Sequence, residues 1–308
     1  MALVDTDLTR DLVEARIQGR QSDTAGAVFK GLLVACLVVV LAALVALLIS
    51  VAPAGLEVFS VRGVSDFVLR PFSVRPEKAG VFQGIVGTVT CALLVAVVAF
   101  PMGVAAAVYL EEYAHDNWFT RIVNLVIRNL AGVPAIVYGL LGFALFVDGP
   151  FTGFTGGTTL LSTGLTLSIL VLPIVVITSA EAIRAVPSAL REGGYGVGAT
   201  RWEVTRTLVL PNAMGGMLTG TILGLARALG EAAPLFFMGA KTSIFSGGEW
   251  GDLRGDFTAL PMIISDWATR PATKWNGNTQ AAILVTLVLV LGINTVGIVL
   301  RNHFDKKR

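Results

Sequence analysis

The feature that most constrains this chain is a pair of opposite charges, Arg227 and Glu231, inside a long apolar stretch. They are the only ionisable residues between Thr207 and Ala240. A charged side chain at the centre of a bilayer costs about 2.5–3.5 kcal/mol on insertion scales. An Arg-before-Glu pair at i,i+4 returns only about 0.2–0.5 kcal/mol on an isolated helix. Mutual neutralisation is therefore a weak reason for the two charges, and their face must point at protein or water.

On a continuous helix, these two charges share a face with small residues and a proline. At 100° per residue, Gly220, Gly224, Arg227, Glu231 and Pro234 fall within roughly 80° of one another. Glycines also recur at four-residue spacing, which lets another helix backbone approach closely. A direct ligand role is the alternative for these glycines, but packing alone explains them. We therefore predict that they mediate helix contact: Gly216, Gly220 and Gly224.

The rest of the chain predicts an all-α polytopic membrane protein. It has 308 residues, of which 54% are apolar and 14% charged, and its mean hydropathy is +0.75. Each apolar run holds the roughly 20 residues that a spanning helix needs. Gly132 and Pro134 allow a bend in the third run. The six predicted helices fall in residues 31–51, 79–110, 129–147, 160–180, 207–240 and 275–300.

The basic residues predict the orientation in the membrane. Of the 23 Lys and Arg residues, 14 fall on the side that carries both termini, eight on the other side, and the last is Arg227. This bias predicts that both termini are cytoplasmic. The expected organisation is a cytoplasmic tail (1–30), a membrane domain (31–301) with a cytoplasmic loop (181–211), and a short cytoplasmic tail (302–308). Trp250, Trp267 and Trp275 are expected to anchor the outer interface.

Two cytoplasmic connections are predicted to differ in structure. In the loop 181–211, Pro187 suits a first helical turn, Gly198 permits a turn, and Thr200 with Glu203 forms a capping box. A short helix-turn-helix follows, whose apolar side chains Leu190, Tyr195 and Val197 could seat in a partner's groove. The other connection, the acidic stretch 111–116, is expected to be a solvated loop.

The loop 181–211 resembles the cytoplasmic signature of permease subunits of ATP-binding-cassette importers. That signature is Glu-Ala-Ala, three residues, Gly, nine residues, and Ile-x-Leu-Pro. This chain has Glu192-Gly193-Gly194, three residues, Gly198, nine residues, and Leu208-Val209-Leu210-Pro211. The resemblance implies a six-helix type I importer fold and a coupling helix that docks on the ATPase. The residues that it implies for coupling are Arg191, Glu192, Gly198, Leu210 and Pro211.

Two further stretches, 129–140 and 226–235, are similar to phosphate-specific permeases. The Ala-Pro-Leu ending is closer to the PstA type than to the PstC type, although Ala232 stands where threonine is usual. The resemblance implies phosphate import with a PstC-like second permease chain, a PstB-like ATPase dimer and a PstS-like extracytoplasmic binding protein. ATP and Mg would be bound by the ATPase, because this chain has no Gly-x-x-x-x-Gly-Lys-Ser/Thr loop. No cofactor, catalytic residue, metal site or nucleic-acid patch is expected in the chain itself.

Arg227 and Glu231 are predicted to line the translocation path. A phosphate crossing a low-dielectric core needs a fixed cation, and Arg227 is the only central one. We expect Glu231 to pair with Arg227 when the path is empty and to accept the phosphate hydroxyl when it is filled. Two alternatives stay open: a permease for another oxyanion such as sulfate, and an intramembrane enzyme using Glu231 as acid or base. The second alternative lacks a nucleophile or metal.

Overall fold

The computed structural model describes residues 24–240 and 250–305, apart from the side chains of residues 272, 273, 304 and 305. In this part of the chain the regular structure is helical, without strands. The chain divides into two compact units, residues 1–50 and 51–308. Most of the predicted N-terminal tail and the end of the C-terminal tail lie outside the described residues. The Arg227–Glu231 pair and the loop 181–211 both belong to the second unit.

The helices are numbered in chain order. Three of them continue directly into a π-helical turn: Tyr109–Tyr113 follows the third, Phe143–Val147 the fifth and Thr205–Val209 the ninth. The α-helices are α1 (Thr24–Arg62), α2 (Val64–Leu69), α3 (Phe82–Val108), α4 (Trp118–Ala131), α5 (Ala135–Gly142), α6 (Thr152–Thr155), α7 (Leu160–Arg184), α8 (Ser188–Gly196), α9 (Arg201–Val204), α10 (Leu210–Gly230), α11 (Ala233–Phe237), α12 (Leu260–Thr269) and α13 (Ala272–Asp305).

Five stretches of the described chain are long and apolar enough to cross a membrane, and a bent pair of helices makes up to six. The straight stretches are α1, α3 with its π turn, α7, Arg201–Gly230 and Lys274–His303. The bent pair consists of α4 and the segment Ala135–Val147, which meet at an angle of 105° and correspond to the third predicted helix. The predicted bend is thus present, and Pro134 explains it because it has no N–H to continue the helix. The third predicted helix is therefore not continuous: α4 and the segment Ala135–Val147 are separate and meet at a sharp bend.

Helix α7 lies at the centre of the second unit and packs against α3, α5 and α10. The glycine series of α10 faces α7. A β-carbon added at Gly216 would lie 2.6 Å from Ala182 Cβ, and one at Gly224 would lie 2.6 Å from Val171 Cγ1. Gly220 faces Thr178 in the same way. The three glycines therefore let α10 approach α7 closely, as expected of small residues in a membrane interface.

The end of the unit opposite the loop 181–211 holds an aromatic cluster. Phe67 and Phe72 pack on Trp267, which is 1% exposed, and Trp275 lies beside it at 5% exposure. The prediction that Trp267 and Trp275 are interfacial anchors is therefore wrong, because both pack into the core. Trp250, at 59% exposure, is the one of the three that remains open.

Candidate translocation site and coupling region

The helix that carries Arg227 is interrupted next to it. Helix α10 ends at Gly230, and Glu231 has extended backbone angles of φ −83° and ψ 117°. Pro234 has no N–H to bond the carbonyl of Gly230, so the α-helix cannot run through unchanged, and α11 starts afresh at Ala233. The prediction of one continuous helix through Pro234 is wrong. Glu231 lies in the break, and only Arg227 sits on the helix.

Arg227 and Glu231 nevertheless form a loose ion pair. Nε of Arg227 lies 3.5 Å from Oε1 of Glu231, and the two side chains are 39% and 24% exposed. This separation exceeds the usual 2.7–3.2 Å of an N–H···O hydrogen bond. The guanidinium therefore has donors to offer another anion. Since both charges are partly open in the single chain, they face water or a neighbouring chain.

The two broken spans meet at this place. A β-carbon added at Gly139 of α5 would lie 3.0 Å from Cα of Pro234 in α11. Its neighbour Tyr138 is buried and donates a hydrogen bond of 2.8 Å to the carbonyl of Leu130, which closes the break between α4 and α5. Tyr138 is also within electrostatic reach of Arg227. The stretches 129–140 and 226–235, far apart in sequence, thus form one site.

The ligand chemistry of this site is that of an anion site. Non-helical backbone at membrane depth is tolerated only where protein buries it or where it lines a water-filled cavity. An arginine there offers a planar fork of donors that suits carboxylates and phosphates. Within the described ranges, no group of three or more His, Cys, Asp or Glu side chains is placed to hold a metal ion.

The loop 181–211 folds as predicted into a short helix-turn-helix, α8 and α9. Gly198 adopts φ +85° between the two helices. The capping box is confirmed: Oγ1 of Thr200 accepts from the Glu203 N–H at 3.3 Å, and Glu203 Oε2 accepts from the Thr200 N–H at 2.8 Å. Apolar side chains of the loop are exposed, among them Leu190, Tyr195, Val197 and Trp202.

The residues predicted to couple to an ATPase lie in different environments. Glu192 and Gly198 are exposed on the loop, and Pro211 is exposed in the first turn of α10. Leu210 is half-buried. Pro211 does not begin the helix, because the π turn 205–209 already joins α9 to α10 in one stretch. Arg191 turns inward, onto Glu112.

The acidic stretch after α3 is only partly a solvated loop: His115 and Asp116 are exposed, but the prediction is wrong for residues 111–113, which belong to the π turn. Glu112 is 5% exposed and accepts from Arg191 NH2 at 2.8 Å. Its neighbour Glu111 accepts from Arg184 Nε at 2.7 Å. The Arg201 guanidinium lies 5.3 Å from the centre of the Tyr113 ring. The sequence did contain a signal for these contacts. Two acids and a tyrosine stand side by side after α3, and three arginines with which they could pair lie in the later loop 181–211.

Comparison with known proteins gives one family. The sequence profile of the binding-protein-dependent transport system inner membrane component matches residues 99–308. The probable ABC transporter permease YqgH of Bacillus subtilis is 34% identical over 285 residues, which is 90% of each chain. The phosphate transport system permease PstA of Mycobacterium leprae is 35% identical over 231 residues, covering 74% of this chain and 73% of that one. PstA of Yersinia pestis is 30% identical, with 80% of each covered.

Solved structures agree on the fold. A bacterial ABC transporter involved in the import of the acidic polysaccharide alginate superposes with a TM-score of 0.59 at 15% identity, covering 94% of this chain and 98% of that chain. An inward-facing methionine ABC transporter, MetNI, gives a TM-score of 0.54 at 18% identity, over 72% of this chain and 94% of the other. These identities are low, so the likeness concerns the fold alone.

Proposed function

The chain belongs to the family of binding-protein-dependent transport system inner membrane components, and from this premise we propose that it is the PstA-type permease subunit of an ATP-driven inorganic phosphate importer. Its relatives named for phosphate transport share 30–35% of its sequence over most of its length. It is a transporter subunit and not an enzyme.

The observation that carries the proposal is the loose Arg227–Glu231 pair at a break between two membrane helices. A tight ion pair would leave the cation occupied, whereas at 3.5 Å the Arg227 donors remain available. The extended backbone at Glu231 and the neighbouring α4–α5 break bring irregular chain to the same depth. Such breaks are the usual way in which transporters build a substrate site at the midplane.

Glu231 gives this site a means of choosing among oxyanions. Near neutral pH, phosphate keeps at least one P–O–H, whereas sulfate has no proton to donate. An ionised carboxylate only accepts hydrogen bonds. When phosphate takes Arg227, Glu231 can accept the phosphate hydroxyl and remains satisfied. A fully deprotonated oxyanion would instead meet a carboxylate with no compensating bond, which opposes its entry.

Energy for transport enters through the loop 181–211. Its exposed apolar side chains, such as Val197 at 86% and Trp202 at 54% exposure, suit a groove on a partner. In our proposal this partner is a PstB-like ATPase dimer, which binds the ATP and Mg. A PstC-like chain completes the path, and a PstS-like binding protein delivers phosphate from outside. The Lys and Arg bias supports a cytoplasmic position for both termini and for this loop.

The test is phosphate uptake into proteoliposomes that contain the full importer with Arg227→Gln. Losing the charge-assisted hydrogen bonds should reduce the uptake rate by about 100-fold. Arg121→Gln is the control, because Arg121 pairs with Asp116 on the surface and both side chains are more than 70% exposed. Uptake by Arg227→Gln at the control rate contradicts the proposal. Inhibition of wild-type uptake by sulfate as strongly as by unlabelled phosphate would indicate a general oxyanion permease.

A further inference from the structure

A buried contact between the loop 181–211 and the end of α3 is made by Arg191 and Glu112. The Arg191 guanidinium donates to Glu112 Oε1 at 2.8 Å from NH2 and at 3.2 Å from Nε. It also donates to the carbonyls of Val186 at 2.7 Å and Ile183 at 2.9 Å. The Glu112 side chain is 5% exposed and that of Arg191 is 22% exposed. One arginine therefore ties α8, the end of α7 and the end of α3 together.

The two residues that flank Glu112 also contact arginines. Glu111 pairs with Arg184 at the end of α7, and the Tyr113 ring lies under Arg201 at the start of α9. Three consecutive residues at the cytoplasmic end of α3 thus each hold one arginine from the region of the loop. Helix α8 is itself seated on α9 and the π turn after it: a β-carbon at Gly194 would lie 2.8 Å from Val204 and 2.9 Å from Leu208.

We infer that the Arg191–Glu112 pair is a mechanical joint through which movement of the coupling loop reaches α3. The loop already connects by chain to α7 on one side and to α10 on the other. The pair adds a third connection, to α3, which packs against both α7 and α10. In this way a displacement of α8 moves three membrane helices together, including the one that carries Arg227. The inference rests on the proposed function, because it assigns the pair a role in coupling.

A buried ion pair is a poor device for stability alone. Apolar residues of similar size in its place are often as stable or more so, because desolvation of two charges offsets their attraction. What the pair supplies is a fixed geometry between helices. The planar guanidinium donates to the carboxylate and to two carbonyls in one orientation. That property suits a part that must transmit a displacement without changing its own geometry.

The experiment uses the full importer in proteoliposomes and measures phosphate uptake and ATP hydrolysis in the same sample. In Glu112→Gln, ATP hydrolysis and co-purification of the ATPase should persist, while phosphate moved per ATP should fall by about tenfold, as expected from losing charge-assisted bonds. The double variant Glu112→Gln with Arg191→Gln removes both charges, so no unpaired buried charge remains. It should lose no more coupling than the worse single variant, because the two residues act as one unit.

The matched control is Asp116→Asn, in the same cytoplasmic connection. Asp116 pairs with the exposed Arg121, whose hydrogen bond holds the pKa of the Asp116 carboxyl below its usual range. Neutralising it should leave phosphate moved per ATP unchanged. The joint is contradicted if Glu112→Gln keeps the wild-type ratio, or if uptake falls only in proportion to lost ATPase binding. Failure of the wild-type importer to take up phosphate would instead contradict the proposed function, since the joint is judged by the variant-to-wild-type ratio.

Discussion

The molecule contains two Arg–Glu pairs in contrasting settings, one at the break after α10 and one between the loop 181–211 and the end of α3. Arg227 and Glu231 are 3.5 Å apart, 39% and 24% exposed, and lie at a break in a helix. Arg191 and Glu112 approach to 2.8 Å and are 22% and 5% exposed, and Arg191 also donates to two backbone carbonyls. The first pair is local in sequence, whereas the second joins residues 79 positions apart.

The difference between the pairs follows from what each must do. A cation that is to meet a travelling anion must be able to leave its partner, so a long contact at an open break is suitable. A cation that is to hold two helices in a fixed relation should be saturated, and Arg191 makes four hydrogen bonds to three residues. Burial and hydrogen-bond count, rather than residue type, therefore separate the two roles.

The largest effect that we expect from this comparison is on the free energy of unfolding. Arg191→Gln should lower the free energy of unfolding by about 3 kcal/mol, because it leaves Glu112 as a buried charge without its partner. Arg227→Gln should change it by less than about 1 kcal/mol, since that pair is loose and partly exposed. Denaturant titration of the purified chain in detergent measures both. Equal losses for the two variants would remove the distinction.

A second test concerns the backbone of the coupling module. Gly198→Val should cost about 2 kcal/mol locally, because Gly198 has φ +85° and an L-residue is strained there. ATPase co-purification should weaken, since α9 can no longer follow α8 in the same direction. Gly196→Val is the control, at an open position without positive φ. If both variants retain the ATPase equally, the turn geometry is not needed for docking.

A third test addresses the loose pair directly. Glu231→Gln should reduce phosphate uptake by about tenfold, because the amide is a weaker acceptor for the phosphate hydroxyl than a carboxylate. Sulfate leak should rise, since the repelling charge is gone. The measurement is paired uptake of the two anions with the extracytoplasmic binding protein bypassed. A parallel fall in both, or no change in either, would leave Glu231 only a structural counter-ion.

The smallest effect separates two adjacent glycines of α8. Gly194→Ala should destabilise the chain by about 1 kcal/mol, because its methyl group would press on Val204 and Leu208. Gly193→Ala should stabilise it by about 0.5–1 kcal/mol, since nothing lies within 4 Å and alanine favours helix. Thermal denaturation in detergent compares the two. Identical shifts would mean that α8 is not packed as closely as its role at the joint requires.

Much of the architecture follows from local sequence rules. Apolar length predicted six spans, and the described chain has five such helices, or six if the bent pair counts as one; Pro134 with Gly132 marked the bend in the third. Thr200 and Glu203 predicted the capping box, because capping is a contact between residues three apart. One prediction failed at a local signal. Pro234 indicates a break after Gly230, but the prediction that Arg227 and Glu231 share a helical face assumed a helix that continues through Pro234.

The sequence by itself determined where most of the long apolar helices lie and where the loop 181–211 turns, because both depend on neighbours along the chain. Only the tertiary structure decided that Glu112 is buried, that Arg191 points inward, and that Trp267 and Trp275 belong to the core. Burial of a charge depends on which distant partner removes it from water. An acidic stretch alone cannot show this, since its arginines lie some 70 to 90 residues further along the chain.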